Sequence, residues 1–448
     1  MGAEGGARGG AEALRRILQG VRLKARIAVV IVSFDSPERL RRGLSALSMQ
    51  SRKPDGVIIV STGTQGAGWA AREFPSLALD VLETGRNIGP AGGFRAGARR
   101  AYLRGFDYVI FADDDAYPVG DGVIAKFASH AEKGEGVVAG HHTNGTAIGV
   151  SNHYMMVSRD VLRKTGFYFE PFFLMVEDHE FTARLKKAAR IAYDPGIVID
   201  HPWRLKINTR RSFLLARNSM INIAMHGGLV HYAMLFYYHC MRAAFTALAL
   251  RKPEFALAAA GGYWQFASGM AGPVDVASVE MELEPAGAQG PDRKALWIVP
   301  EAEGLRHPAG MKGIEAAGGR DFTGEQGRGG PLHEIRRLAS AVSRLGGRDI
   351  IVQNHYLLAF PPLSMLARDV YLYDELGGRA YLFYRNSVPL SALFTLLFSS
   401  ATAALLPLAA AIYLVRRGHY KRMLENELRD DSEFCREADK SLRKGVPG

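Results

Sequence analysis

The chain is poor in cysteine, with only Cys240 and Cys435 among its 448 residues. Two cysteines cannot form a disulfide framework or a cysteine-ligated zinc site, and their scarcity fits a reducing, cytosolic environment. The sequence also lacks a recognisable nucleic-acid-binding motif and the Gly-x-Gly-x-x-Gly turn of dinucleotide-binding proteins. We therefore expect neither a disulfide-stabilised fold nor a nucleic-acid partner.

The N-terminal residues do not have the pattern of a secretory signal peptide. The first apolar run, residues 27–32, is short and follows Arg22, Lys24 and Arg26. Residues 1–10 are rich in glycine and alanine, and we expect them to be flexible. Residues 11–26 are predicted to form a short basic helix of the amphipathic kind that rests on membranes. Residues 1–26 are thus expected to precede the first domain.

Positive charge exceeds negative charge, with a formal net charge of +11. Such an excess favours an anionic partner, either a nucleotide or an anionic membrane surface. The basic residues are scattered except for a cluster at residues 416–422.

Apolar runs alternate with amphipathic segments in the first half of the chain. Residues 27–34, 57–60, 79–83 and 108–112 are predicted strands, and residues 38–48, 87–104 and 122–133 are predicted helices. Ser36 can cap the first helix, with Pro37 at its first position. This alternation predicts an α/β domain with a mostly parallel sheet covered by helices.

Three consecutive carboxylates, Asp113, Asp114 and Asp115, follow the predicted strand at residues 108–112. Ligands of parallel α/β sheets bind beyond the carboxyl ends of the strands. Because side chains alternate along an extended chain, Asp113 and Asp115 can point the same way while Asp114 points elsewhere. Two hard oxygen ligands suit Mg²⁺ or Mn²⁺, which can hold a diphosphate. The alternative is an acidic loop that caps a following helix.

A glycine pair and two further polar clusters accompany these aspartates. Gly92-Gly93 follows Asn87 near a predicted helix start, where backbone N–H groups could approach an anion; a purely structural turn is the alternative. Glu177 and Asp178 follow an aromatic stretch, and could be a reactive pair or a solvated helix N-terminus. Residues 200–203 place a histidine beside a tryptophan.

Six segments occur in an order that resembles the family-2 inverting glycosyltransferases of the GT-A fold, over residues 27–228. They are VVIVSFDSPERL, NIGPAGGFRAG, YVIFADDDA, FFLMVEDHEFTARL, DHPW and ARNSMINIAMHGG. The motifs look most like the galactofuranosyltransferase and rhamnosyltransferase branch. The resemblance implies a GT-A, Rossmann-like sheet and a nucleotide-sugar donor.

The resemblance also implies roles for individual residues. Asp113 and Asp115 match the metal-binding aspartates of this family, and His201 matches a third ligand to Mn²⁺ or Mg²⁺. Asp178 matches the general base that deprotonates the acceptor hydroxyl, with Glu177 as the alternative base. Trp203 and Phe173 would form apolar walls of the pocket that holds the sugar ring. Contacts to the nucleotide-sugar are expected from seven residues: Ser33, Asp35, Ser61, Asn87, Gly92, Gly93 and Asp114.

Two positions depart from the family pattern. Ser61 stands where the family usually has an aspartate that holds the nucleobase or ribose, and Asp35-Ser36 stands where it usually has Asn-Arg. Both UDP and dTDP therefore remain open as the donor nucleotide. A sugar-nucleotide nucleotidyltransferase is an alternative, although FDSPERL lacks the Gly-rich basic signature such an enzyme needs. A degenerate GT-A domain that serves as a membrane scaffold or sugar-binding module is another, and Ser61 favours it.

The second half is expected to extend the catalytic domain and attach it to a membrane. Residues 229–386 are predicted to be a helical and mixed extension, with short strands near residues 295–299 and 349–352. Residues 387–415 carry no charge and are long enough to cross a bilayer. Residues 416–448 form a charged tail, predicted to be a surface helix at residues 425–444.

The basic flank at Arg416 and Arg417 marks a cytosolic end by the positive-inside rule. A single span would place the flank and a cytosolic catalytic domain on opposite sides of the membrane, so we expect an in-plane or re-entrant hairpin kinked by Pro389 and Pro407. The alternatives are a second span at residues 218–241 or 255–274, or a helix pair lying in the interface. A membrane-associated catalytic domain that faces the cytoplasm could reach a saccharide on a polyprenyl or glycolipid acceptor.

Overall fold

The computed structural model describes residues 24–142, 154–201, 208–275, 278–280 and 388–444, together with short strands of a second sheet between residues 296 and 385. The predicted N-terminal helix at residues 11–26 lies almost wholly outside the described residues. Trp203, residues 304–314 and residues 317–330 lie outside them as well.

Residues 27–200, called the sheet domain below, contain an eight-stranded sheet with the order β3-β2-β1-β4-β7-β6-β8-β5. Strand β1 pairs in parallel with β2 and β4, and β2 pairs in parallel with β3, whereas β7 runs antiparallel to both β4 and β6. The strands are β1 Ile27–Ser33, β2 Gly56–Ser61, β3 Leu79–Glu83, β4 Tyr108–Asp113, β5 Tyr117–Pro118, β6 Val137–His142, β7 Met155–Ser158 and β8 Ile191–Asp200. The predicted mostly parallel sheet is confirmed.

Six helices cover this sheet, and the predicted ones are confirmed to within one or two residues. They are α1 Pro37–Ser48, α2 Ala70–Glu73, α3 Gly89–Leu103, α4 Val123–Glu132, α5 Arg159–Thr165 and α6 Glu177–Ala188. Ser36 occupies the position before α1, but its hydroxyl donates to the carbonyl oxygen of Phe34 instead of capping the helix. Pro37 fixes the first helical φ and needs no hydrogen-bond acceptor there, which explains why α1 starts without a side-chain cap.

The alternation of side chains along β1 produces two core layers. Val29 and Ile31 face a layer that includes Leu44 of α1, whereas Val30 faces a layer that includes Phe94 of α3. All seven residues of β1 are buried. A strand covered on both faces reads as a continuous apolar run, which is the pattern seen in the sequence.

Three helices, α7 Thr209–His226, α8 Leu229–Leu250 and α9 Glu254–Ser268, follow the sheet and pack against each other. They leave large apolar side chains exposed, including Val230 at 75%, Leu257 at 69% and Trp264 at 70%. Side chains of this size and exposure are not typical of helices in a fully buried core.

The second sheet has five strands in the order β10-β9-β11-β12-β13. Its strands are β9 Leu296–Ile298, β10 Glu315–Ala316, β11 Ile350–Val352, β12 Asp369–Asp374 and β13 Arg379–Arg385. The two predicted strands, at 295–299 and 349–352, are confirmed as β9 and β11. The sequence interpretation missed β12 and β13, although their tyrosines and aliphatic residues are typical of strands.

The last helix, α10 Val388–Arg443, is unbroken, so the predicted hairpin is wrong. Pro389 lies in its first turn, where a missing N–H is harmless. Pro407 lies inside the helix and removes one backbone hydrogen bond. The surrounding alanines and leucines are strong helix formers, and the helix continues through this position. Among the described residues one helical segment, Leu397–Arg443, is long and apolar enough to cross a membrane, with mean hydropathy 1.8 over its most apolar window.

The C-terminal part of α10 forms the predicted charged helix at the surface, and one face of this helix packs on the sheet domain. Cys435 is fully buried in the layer that contains Phe94, and Asp431 is 1% exposed. Arg95 of α3 pairs with Glu427 at 2.7 Å and with Asp431 at 2.8 Å. The buried face of this helix therefore contributes to the core of the sheet domain. The basic cluster at residues 416–422 directly precedes the packed segment.

Candidate active site

Asp113, Asp115 and His201 come together beyond the carboxyl end of β4. Their ligand atoms lie within 4.8 Å of one another, and Nε2 of His201 is 3.3 Å from Oδ1 of Asp115. The short strand β5 causes this approach, because it pairs Tyr117 with Asp200 at the end of β8. Two carboxylate oxygens and an imidazole nitrogen fit Mn²⁺ or Mg²⁺. The predicted grouping of the metal-ligand candidates is confirmed.

Asp114 points away from this group, as the alternation of side chains predicts. Its Oδ2 accepts a hydrogen bond of 3.1 Å from the Ser33 hydroxyl on β1. Burial, together with the charge of Asp115, raises the pKa of Asp114 to about 7. Ser33 and Ser61 are paired in register across β1 and β2, so both lie at the carboxyl edge of the sheet beside the aspartates.

Arg39 is a site residue that the sequence interpretation missed. It lies in the first turn of α1, and its Nη1 is 3.5 Å from Oδ2 of Asp115 and 3.7 Å from Oδ1 of Asp114. The sequence signal is positional, because a helix that begins directly after β1 starts at the same sheet edge as the aspartates.

Glu177 and Asp178 begin α6, after a loop in which Phe173, Met175 and Val176 adopt positive φ values. Glu177 is 7% exposed, and its Oε2 has no hydrogen-bond partner among the described residues. Burial, reinforced by the charge of Asp178, raises the pKa of Glu177 well above its usual range. The Asp178 side chain is 22% exposed and therefore more accessible to an acceptor hydroxyl, which favours Asp178 as the base.

Asp178 is less buried and contacts the next residue. Its Oδ1 accepts the backbone N–H of His179 and lies 2.8 Å from Nδ1 of the same residue. The charge of Asp178 raises the pKa of His179.

Asn218, which lies in the ARNSMINIAMHGG segment, forms hydrogen bonds with the loop before α6. The Asn218 side-chain amide donates to the carbonyl oxygens of Phe172, Leu174 and Met175 at 2.8–2.9 Å. A single buried side chain thus anchors three successive parts of the strained loop. The sequence interpretation identified the motif but not this role.

Gly92 and Gly93 are placed differently from the prediction. They lie inside α3, and a Cβ on Gly93 would stand 2.5 Å from Cγ1 of Val32. The N–H of Ala91 near the helix start already donates to the carbonyl oxygen of Phe173. Gly93 therefore allows close packing of α3 on β1, whereas a Cβ on Gly92 would meet the Ile88 side chain at 3.0 Å. The contact of both glycines with the nucleotide-sugar stays a prediction.

Asn87 and Asp35 organise turns at the same sheet edge. The Asn87 side chain accepts the N–H of Gly89 at the start of α3. Oδ1 of Asp35 accepts the N–H groups of Thr64 and Gln65 at 2.7 and 2.9 Å. A Cβ on Gly63 would lie 2.1 Å from this oxygen, so only glycine fits there. The nucleotide contacts expected of both side chains remain predictions.

Phe173 is packed in a small apolar cluster with Phe213, Leu214, Ala258 and Val274. The ring is 4% exposed, and the Arg210 guanidinium lies 5.6 Å from its centre. Its predicted role as an open wall for a sugar ring does not match this burial. The companion prediction for Trp203 falls outside the described residues.

Comparison with known proteins gives a family match over the sheet domain. Residues 28–191 match the profile described as Glycosyl transferase family 2. Galactofuranosyltransferase GlfT1 of Mycobacterium tuberculosis is 34% identical over 110 residues, which cover 24% of this chain and 36% of that protein. The protein of the same name from Mycolicibacterium smegmatis is 31% identical over 105 residues, 23% of this chain and 35% of that protein. The match thus spans about a third of the length of these curated relatives.

Solved structures give weaker similarity. Staphylococcus aureus TarS has a TM-score of 0.37 at 16% identity, covering 44% of this chain and 39% of that chain. The mannosyltransferase PcManGT from Pyrobaculum calidifontis, in complex with GDP-Man and Mn²⁺, has a TM-score of 0.36 at 18% identity, covering 55% and 76%. The fold assignment rests on the order of the strands in the sheet and on the profile match.

Proposed function

We propose that the protein moves a sugar from a nucleotide-diphosphate donor to an acceptor hydroxyl, because residues 28–191 match the Glycosyl transferase family 2 profile. The observation that carries the proposal is the convergence of Asp113, Asp115 and His201 at the end of β4. These residues would hold Mn²⁺ or Mg²⁺, which when bound neutralises charge on the departing diphosphate.

The proposed chemistry is a single displacement with inversion. Asp178 takes the proton from the acceptor hydroxyl while the acceptor oxygen forms a bond to the anomeric carbon. The bond between that carbon and the diphosphate oxygen breaks, and its electron pair leaves with the nucleoside diphosphate. Glu177 keeps its proton through this step, because burial holds its pKa high.

For the donor we propose a UDP- or dTDP-sugar, with galactofuranose or rhamnose as the sugar. The support is the name of the GlfT1 relatives, which are galactofuranosyltransferases. Because the matches cover 36% and 35% of those relatives, the donor is proposed from the shared segment alone.

For the acceptor we propose a saccharide on a polyprenyl or glycolipid carrier at a membrane, with the catalytic domain on the cytoplasmic side. The support is α10, whose apolar part leaves Leu408 at 60% and Leu414 at 61% exposed. The basic residues Arg416 and Arg417 follow directly, toward the end that packs on the domain. The basic flank and the domain thus share one side, as the positive-inside rule requires of a cytoplasmic enzyme.

A thermal-shift screen of nucleotide sugars tests the donor proposal. Specific binding to the folded state raises the melting temperature, and the rise grows with ligand concentration. We expect a UDP- or dTDP-sugar to stabilise the protein with Mn²⁺ and to do so much less after EDTA treatment. Stabilisation by nucleoside triphosphates instead of nucleotide sugars would contradict the proposal.

A further inference from the structure

Arg39 has a different environment from its neighbour Arg41 on α1. The Arg39 guanidinium lies 3.5 Å from Asp115 and 3.7 Å from Asp114, and its side chain is 30% exposed. Arg41 instead pairs with Glu73 at 2.7 Å on the outer surface. Two arginines of one helix thus carry the same charge, but Arg39 faces the acidic end of β4.

The two oxygens of Asp115 face different partners. Oδ1 is 3.3 Å from the imidazole of His201, within the group suited to a metal ion. Oδ2 is 3.5 Å from the Arg39 guanidinium. A fixed positive charge on this carboxylate repels a divalent cation bound to its other oxygen, and the repulsion is larger for a divalent than for a monovalent ion.

A diphosphate on the metal ion changes the sign of this effect. Its oxygens carry negative charge, and a guanidinium is well suited to phosphate oxygens in geometry and charge. Arg39 would then attract the anion that the metal ion also holds. The same side chain therefore disfavours the metal ion alone and favours the metal ion together with a diphosphate.

We propose that Arg39 couples the binding of the divalent ion to the binding of the nucleoside diphosphate part of the donor. The inference rests on the proposed function, because it uses the same metal site and donor class. Arg39 weakens the affinity for free Mn²⁺ and strengthens the affinity for nucleoside diphosphate in the presence of Mn²⁺. Because coupling between two ligands is reciprocal, each ligand raises the affinity for the other by the same factor.

Titration of the full-length protein with MnCl₂ tests this coupling, with free Mn²⁺ measured by electron paramagnetic resonance. The titration is run with and without saturating UDP, and in parallel with dTDP, on protein first stripped with EDTA. For Arg39→Gln we expect free Mn²⁺ to bind roughly three to ten times more tightly, as loss of a nearby positive charge requires. We also expect the enhancement by nucleotide to fall by about the same factor.

Two matched variants separate charge from position. Arg39→Lys keeps the positive charge and should keep most of the wild-type coupling. Arg41→Gln removes the same charge from the outer side of α1 and should bind Mn²⁺ as the wild type does. Arg39→Met is the second neutral variant if Arg39→Gln does not fold.

The outcomes distinguish the inference from the proposed function. If wild-type protein binds Mn²⁺ and nucleotide but the neutral variants show unchanged Mn²⁺ affinity or unchanged coupling, the role of Arg39 is overturned and the proposed function stands. If wild-type protein binds no Mn²⁺ with either nucleotide, both are overturned.

Discussion

At the scale of single residues, two adjacent carboxyl groups differ in what they can do. Glu177 is buried without a hydrogen-bond partner for Oε2, whereas Asp178 is more exposed and contacts His179. Burial favours the neutral form of a carboxyl group, and a nearby cation favours the ionised form. Burial thus shifts Glu177 toward its neutral form, whereas the Asp178 carboxyl group is the more accessible of the two.

The first prediction concerns catalysis. Asp178→Asn should lower kcat about a thousandfold, because removal of a general base typically costs that order of magnitude. Glu177→Gln should lower kcat far less, because glutamine resembles the protonated acid. Initial rates of nucleoside diphosphate release measure both, and circular dichroism checks that each variant is folded. The opposite order of effects would assign the base to Glu177.

The second prediction concerns stability and pH, measured without metal. The folded pKa of Glu177 is raised above its unfolded value, so the folded state binds more protons above about pH 4.5 and stability falls as pH rises. Glu177→Gln removes this loss. Urea unfolding should show the variant to be more stable than the wild type at pH 8, with the difference shrinking toward pH 4. A difference independent of pH would contradict the assignment.

Sequence reasoning found these side chains because their chemistry is local. Three aspartates at a strand end and a Glu-Asp pair at a helix start are visible in the letters. Arg39 and Asn218 were missed because their roles depend on contacts with distant segments, Asp115 for one and the loop at Phe172 for the other. The packing of Gly93 on Val32 was also missed, because a glycine required for packing and a glycine required for anion binding look alike in a sequence.

At the scale of elements, α10 contains both the apolar run and a C-terminal part that contacts α3 near the candidate active site. Arg95 of α3 pairs with Glu427 and Asp431, and Asp431 also accepts the N–H of Phe167. Helix α3 begins beside Phe173, whose carbonyl oxygen accepts the N–H of Ala91. The end of α10 therefore contacts both α3 and, through Phe167, the segment that leads to Asp178.

The third prediction tests these contacts. Arg95→Ala leaves two acidic groups of α10 without their partner, one of them almost fully buried, and breaking a buried ion pair costs about 3–5 kcal/mol. Chemical denaturation should show a loss of that order. Arg99→Ala is the comparison variant, since the Arg99 guanidinium lies over the Phe434 ring at 4.1 Å and its loss should cost about 1 kcal/mol or less. Equal losses would contradict a structural role for the end of α10.

The course of α10 shows the limit of pattern reasoning for elements. The uncharged run and the charged tail look like separate units, and two prolines look like bends. The structure shows one helix, because the helix propensity of the flanking residues outweighs a single Pro407, and because the charged tail has buried partners on the domain. Strand and helix bounds in the sheet domain were predictable, since each apolar run there is short and is followed within three residues by Gly or Asp.

At the scale of the whole molecule, exposed apolar side chains concentrate on the helical extension. Val230, Leu257 and Trp264 are each about 70% exposed on α8 and α9, and Leu408 and Leu414 are about 60% exposed on α10. Exposed apolar surface of this extent indicates a contact with lipid or protein. The adjacent basic residues favour a lipid surface that carries negative charge.

The fourth prediction tests lipid contact. Serine at Leu405, Leu408 and Leu414 together should reduce co-sedimentation with vesicles that contain anionic lipid at least tenfold, because each leucine contributes apolar burial in the bilayer. The melting temperature should change little, since these side chains are exposed in the protein. Serine at Phe34 and Met49, which are exposed on the sheet domain, is the control and should leave vesicle binding unchanged. Equal binding by all variants would exclude α10 as the lipid contact.

The most direct test of the whole account is a turnover measurement with the full-length protein. Wild type and Asp115→Ala are incubated with a UDP- or dTDP-sugar selected by thermal shift and with membrane lipid extract as acceptor. We predict release of nucleoside diphosphate by the wild type with Mn²⁺ or Mg²⁺, loss of that release after EDTA treatment, and recovery when the metal is returned. The Asp115→Ala variant should release no nucleoside diphosphate, with or without added metal. Release that is insensitive to EDTA and to Asp115→Ala would contradict a metal-dependent glycosyltransferase.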